Sequence, residues 1–200
     1  MNRLPLVCLA IAVAATPSLA ADVKYSIVPG YFEAKPGGQQ LGPCHGGLVI
    51  DKAGLVYVTT DTPRGIVVYS PEGKFLRVVG PTRVPGLEIR EENGTEYIYG
   101  ARPSEHEVVK LNRDGSQEWA IHTPQAAGIY KEGKDFTSCP VTAGADGTIF
   151  IADAYGSNFV LRLDKDRKFV KAFGGPGAEE GKFNTCHGIA LDTRGEKPLL

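Results

Sequence analysis

After the first twenty positions, short runs of four or five residues rich in apolar side chains recur, most of them bounded by glycine, proline, asparagine or aspartate. Short apolar runs joined by tight turns predict β-strands. Four such runs fall at 47–51, 56–60, 65–69 and 75–79. The pattern returns at 87–90, 97–101, 107–111 and 118–121, and again at 141–145, 149–153, 159–163 and 169–173. A fourth group opens at 188–192, turns at Thr193-Arg-Gly195 and reaches Leu200 as its second strand begins.

The glycines that end the first turn of each group, Gly54, Gly94, Gly147 and Gly195, lie 40, 53 and 48 residues apart, about 47 on average. Four strands recurring every ~40–50 residues is the period of a propeller blade, not of an ankyrin or leucine-rich solenoid. An immunoglobulin-like sandwich has short strands too, but does not repeat a four-strand unit in register. The expected fold is therefore an all-β propeller of four-stranded blades, with 47–51, 87–90, 141–145 and 188–192 lining the axis. Each blade must be covered by its neighbours, which places Ile50, Val58, Val67, Ile98, Val109, Ile151 and Leu161 in the core. At this period the chain holds about three and a half blades, so the propeller is expected to be incomplete at its C-terminal end.

Composition adds two exclusions and one processing step. The 22 Lys+Arg nearly balance the 23 Asp+Glu, and 42% of residues are hydrophobic. That argues against disorder and against binding nucleic acid through bulk charge. Arg3, the apolar run from Leu4 to Ala15 and Ser18-Leu-Ala20 read as a signal peptide over 1–20, leaving a domain over 21–200 in a secreted or periplasmic protein. The apolar run is too short to be a stable membrane anchor. Cys8 leaves with the signal, so Cys44, Cys139 and Cys186 remain, an odd number with no Cys-x-x-Cys pair.

The strand units resemble NHL repeats. Gly181-Lys-Phe-Asn-Thr-Cys-His-Gly-Ile-Ala-Leu-Asp192 is similar to the blade opening G-x-F-x-x-P-H-G-I-A-x-D, with Cys186 in the proline place. The functional relative is the peptidyl-α-hydroxyglycine α-amidating lyase family, and the resemblance is best over 136–191. It implies six blades in the complete ring, a zinc ion held by three axial histidines, and a tyrosine that acts on the substrate with arginines. His187 matches one of those histidines, and Tyr155, in Asp153-Ala-Tyr155, matches the tyrosine. The family's cysteine after that tyrosine is Gly156 here, so Cys139 has lost the disulfide partner the resemblance implies. The family's H-G-L segment two blades earlier is Pro85-Gly-Leu87, and proline offers no ligand atom.

His45 lies 142 residues before His187, three repeats of about 47, so in a six-bladed ring the two enter from opposite sides. His45 is thus a second, out-of-register candidate metal ligand. Each histidine is also readable as an imidazole that packs at the channel mouth. Tyr155 is readable as an acid/base hydroxyl or as cover for a blade edge above a structural Asp153. His106 and His122 read as surface residues. Gly174-Gly-Pro-Gly177 lacks the Gly-Lys-Ser/Thr ending of a phosphate loop and reads as an inter-blade loop. Asn93-Gly-Thr95 matches a glycosylation sequon but is already explained as a type I′ turn. Gly-x-Ser-x-Gly and His-Glu-x-x-His are absent, which removes serine hydrolases and zincins.

Two functional expectations stand side by side. One is an exported propeller that presents its channel mouth and loops to a small-molecule or peptide ligand or to a protein partner. The other is a zinc-dependent lyase of the amidating type that uses His187 and Tyr155. A calcium-dependent lactone hydrolase lacks the acidic and Asn ligands such a site needs at the strand openings.

Overall fold

The computed structural model describes residues 25–45, 47–122, 128–130 and 136–200. The expected signal peptide lies outside the described residues. No α-helix occurs among them, and hence none long and apolar enough to cross a membrane.

Short apolar runs joined by tight turns pair as successive antiparallel hairpins, and twelve strands form three four-stranded sheets. Blade 1 is β1 (Leu48–Ile50), β2 (Val56–Val58), β3 (Ile66–Tyr69) and β4 (Phe75–Val79). Blade 2 is β5 (Gly86–Glu92), β6 (Thr95–Arg102), β7 (Glu107–Asn112) and β8 (Gln117–His122). Blade 3 is β9 (Val141–Ala143), β10 (Ile149–Ala152), β11 (Phe159–Leu163) and β12 (Phe169–Gly174). In every sheet the strands lie in sequence order, so β1, β5 and β9 are each at one edge, and none pairs with another. Sheets of sequential meanders packed face to face are the propeller architecture.

The turns follow from glycine's freedom at positive φ. Gly54, Gly94 and Gly147 take φ of 82°, 81° and 81°, and Asn93 precedes Gly94 at φ 50°, the two left-handed residues of a type I′ hairpin. Because the pleat sends alternate side chains to opposite faces, each strand feeds two interfaces. Tyr57, Ile66 and Val68 of blade 1 meet Ile98, Val109 and Leu111 of blade 2. Tyr99 and Val108 on the other face of blade 2 meet Val141, Ile149 and Leu161 of blade 3. At the β1–β2 turn the Asp51 carboxylate is fully buried and ties blade 1 to blade 2. It accepts from the Ala53 and Leu55 N–H groups, from Tyr57 Oη, and from Arg113 Nη1 at 2.9 Å.

Two expectations need correction. Ile50 is 55% exposed, and Leu48 beside it on the same face is 49% exposed. That face of blade 1 is covered over β2 and β3 by Phe32 and Leu41 of the N-terminal arm, which pack on Val56, Val58, Val67 and Tyr69 but do not extend over β1. The run at 188–192 is not a strand. Among the described residues its one ladder contact is an isolated bridge in which Asp192 and Leu199 exchange both N–H···O bonds, at 2.7 and 2.9 Å. An apolar run becomes a strand only when a neighbouring strand satisfies its backbone groups.

Candidate functional site at the channel mouth

Every blade begins at the same end of its sheet, so the loops that precede β1, β5 and β9 converge there with the β2–β3, β6–β7 and β10–β11 loops. Between them lies a cavity of about 290 Å³. His45, Arg83, Pro85 and Cys139 reach it from the entry loops, and Asp61 and Tyr155 from the second set. The structure thus places Pro85 on the wall of the cavity that also holds His45 and Tyr155.

Tyr155 is held in place by a buried carboxylate. Asp153 is fully buried, and its side chain accepts from the Thr137 N–H at 2.7 Å, the Ser157 N–H at 2.7 Å and Tyr130 Oη at 2.9 Å. The three donors come from three separate stretches, so Asp153 pins the loop on which Tyr155 rides. Tyr155 N–H in turn donates to the Thr137 carbonyl at 3.3 Å. Gly156 is required by the same carboxylate, since a Cβ there would lie 2.5 Å from Asp153 Oδ1. A cysteine cannot occupy position 156 without displacing Asp153. Cys44, Cys139 and Cys186 are all free thiols.

Above this support Tyr155 is 53% exposed, and its hydroxyl hydrogen-bonds His187 Nε2, the rings meeting edge to face with centroids 5.4 Å apart. Cys139 Sγ lies 3.8 Å from the same nitrogen. Desolvation, then the nearby Cys139, raises the Tyr155 phenol above its ordinary range. Burial raises the Cys139 thiol, and the hydrogen bond with Tyr155 offsets part of that rise. Cys186, which precedes His187, is buried in the same small apolar cluster as Cys139, and burial raises its thiol too.

Across the cavity, His45 Nδ1 lies 2.8 Å from Asp61 Oδ2. Arg83 has neither an ion pair nor a side-chain hydrogen bond among the described residues, and its backbone sits at φ 57°, left-handed for a residue with a Cβ. Strained φ values of this kind concentrate at ligand clamps and active sites.

The two residues matched by resemblance, Tyr155 and His187, are therefore in direct contact, and His45 shares a cavity with Tyr155. The described residues bring together no three His, Cys, Asp or Glu side chains able to hold a metal ion. Pro85, on the cavity wall, offers no ligand atom, so the described residues do not make up a three-histidine zinc set. His122 has an acidic partner across the β7–β8 ladder. Its Nδ1 is 3.6 Å from Glu107 Oε2, a pairing that sequence distance conceals. His106 Nδ1 is 2.9 Å from the Phe136 carbonyl.

Fold and mouth together define a β-propeller with a polar pocket at its strand-entry face. No family model matches the chain, and no curated protein matches it in sequence. Among solved structures it is similar to a catalytically inactive histidine-to-alanine variant of virginiamycin B lyase from Staphylococcus aureus with quinupristin, at 17% identity and a TM-score of 0.50. That match covers 68% of this chain and 42% of the lyase. Selenomethionine-substituted virginiamycin B lyase from the same organism matches at 19% identity over 66% of this chain and 41% of that one, with a TM-score of 0.49. A protein of unknown function from Bacteroides caccae matches at 16% identity over 62% and 47%, with a TM-score of 0.47. The chain spans less than half the length of each of these structures.

Proposed function

We propose that the protein is an exported NHL-type β-propeller that binds a small molecule, or the end group of a peptide, at its channel mouth. One observation carries this reading: His45, Asp61, Arg83, Cys139 and Tyr155, contributed by three blades, line a single cavity of about 290 Å³. A pocket near the low end of the ~300–1,000 Å³ range of ligand sites accommodates a compact ligand. Arg83, unpaired among the described residues, supplies a donor and the Tyr155 oxygen a polar contact that together fix its orientation. Amidating lyases are the catalytic relatives in this reading.

A thermal-shift fragment screen tests it. Fragments that stabilise the protein should lose their effect in His45→Ala, Arg83→Gln and Tyr155→Phe. Hits that survive all three substitutions would place binding elsewhere.

The hydrogen bond between Tyr155 and His187 favours a second reading, a lyase in which this pair transfers a proton. Virginiamycin B lyase, whose inactive variant lacks a histidine, has the same fold class, but the reading rests on the Tyr155–His187 contact. Turnover of a peptidyl-α-hydroxyglycine by the wild type, abolished in Tyr155→Phe, would establish the lyase. Binding without turnover would leave the ligand-binding propeller.

A further inference from the structure

We propose that Cys139 is a second reactive group of the mouth, a thiol nucleophile for soft electrophilic carbon whose base, His187, is withheld by Tyr155 until a ligand engages the tyrosine. The proposal rests on the reading of the mouth as a ligand site. Its starting point is a competition. The Cys139 thiol and the Tyr155 hydroxyl both address Nε2 of His187, the sulfur at 3.8 Å and the phenol oxygen in direct hydrogen-bond contact. A neutral imidazole has one acceptor nitrogen with one lone pair, so it serves one of these donors at a time.

A nucleophile within reach of a base that a third group holds is the pattern of an activated thiol. Here the third group shares the nucleophile's nitrogen, so it restrains the base rather than activating it. The thiol also needs that base. Cys139 is 6% exposed, and burial favours its neutral form. Cys139 nevertheless lines the cavity beside Tyr155. Tyr155 is the accessible partner, half-exposed between this cavity and a second space of about 640 Å³ bordered by Tyr130, Asn158 and Phe159. A ligand that takes the phenol as donor or acceptor frees Nε2 for the thiol.

The chemistry then balances without a cofactor. The thiol proton passes to Nε2 and the sulfur forms a bond to the β-carbon of an α,β-unsaturated carbonyl. The displaced electron pair moves to the α-carbon, which takes the proton back from His187, and the adduct is the sum of its reactants. With iodoacetamide the S–C bond forms as C–I breaks, iodide leaves and the proton goes to solvent through His187.

Iodoacetamide alkylation of the full chain, read residue by residue by peptide mass spectrometry, tests this. Cys44, exposed on the rim, is the fast internal reference, and buried Cys186, in the same cluster as Cys139, reports opening of the fold. His187→Ala should slow Cys139 by about tenfold or more, less than the ~10²–10⁴-fold of a freely available positioned base because Tyr155 holds the imidazole. Tyr155→Phe keeps the ring but removes both the competing hydroxyl and its own hydrogen bond to the Cys139 thiol, which favours the thiolate. Release of Nε2 outweighs that loss, so Cys139 should speed several-fold and its pH–rate profile should move, with Cys186 unchanged in both variants. Cys139 alkylated equally fast without His187, or more slowly in Tyr155→Phe, overturns the proposal. If Cys186 accelerates in His187→Ala, the tyrosine arm decides alone. The assay uses no mouth ligand, so an inert Cys139 beside fragments that still bind sinks the thiol and leaves the binding reading intact.

Discussion

Replacing Asp153 with alanine is the most informative single change at the mouth, because one carboxylate there holds three donors. The substitution strands the Thr137 and Ser157 N–H groups and the Tyr130 hydroxyl, which now donate to it at 2.7, 2.7 and 2.9 Å. A buried donor left unpaired costs ~1–3 kcal/mol, and bonds to a charged acceptor lie toward the upper part of that range. Three of them set an upper figure near 9 kcal/mol. The Ser157 end of the loop is near solvent, so water replaces part of what is lost, and the expected destabilisation is about 3–6 kcal/mol. Against a typical total of ~5–15 kcal/mol that is a large fraction. Urea unfolding of wild type and variant measures it as a shift in midpoint at constant slope. Hydrogen exchange at Thr137 and Ser157 localises it, and both amides should lose protection before those of β10 and β11. A loss under 1 kcal/mol, with both amides still protected, would refute the assignment of Asp153 as the anchor of Tyr155.

Two further outcomes are expected. Desolvation, then the charge of Asp51 and the hydrogen bond to it, pushes the Tyr57 phenol up to about 12 from an ordinary value of 10. A raised pKa means that the folded state holds the proton more tightly, so this contribution is complete below pH 10 and is lost between about pH 10 and 12. Alkaline unfolding followed by circular dichroism should steepen over that window in the wild type and less so in Tyr57→Phe. For the metal, elemental analysis of purified protein should find well under one zinc per chain, unaffected by His187→Ala. One zinc per chain that disappears with His187 would restore the metal-dependent lyase.

The blades were legible in the sequence because their signals are local. Short apolar runs and a left-handed glycine at each first turn define a hairpin without reference to the rest of the chain, and Gly54, Gly94 and Gly147 marked the first three. Ile50 and 188–192 were misread for the complementary reason. An apolar run says which residues favour burial, but neighbours decide whether they are covered and whether the backbone has a strand to pair with. At the mouth, motif resemblance singled out Tyr155 and His187, whereas Asp61 and the approach of Cys139 to His187 carried no sequence signal. These contacts span 16 and 48 residues and exist only because successive blades bring their entry loops to one end of the sheets. Asp153 was readable as a cap, and its three partners from separate loops were not.

The central claim is that the strand-entry mouth is the functional site, and mapping a bound fragment by NMR tests it most directly. Titrating a thermal-shift hit into labelled protein should perturb the ring resonances of His45, His187 and Tyr155 together, with a common saturation curve, while residues at the β1–β2 and β5–β6 turns at the opposite end of the sheets stay unmoved. Perturbations that gather at those turns, or at Leu48 and Ile50 on the open face of blade 1, with the mouth aromatics silent, would contradict it.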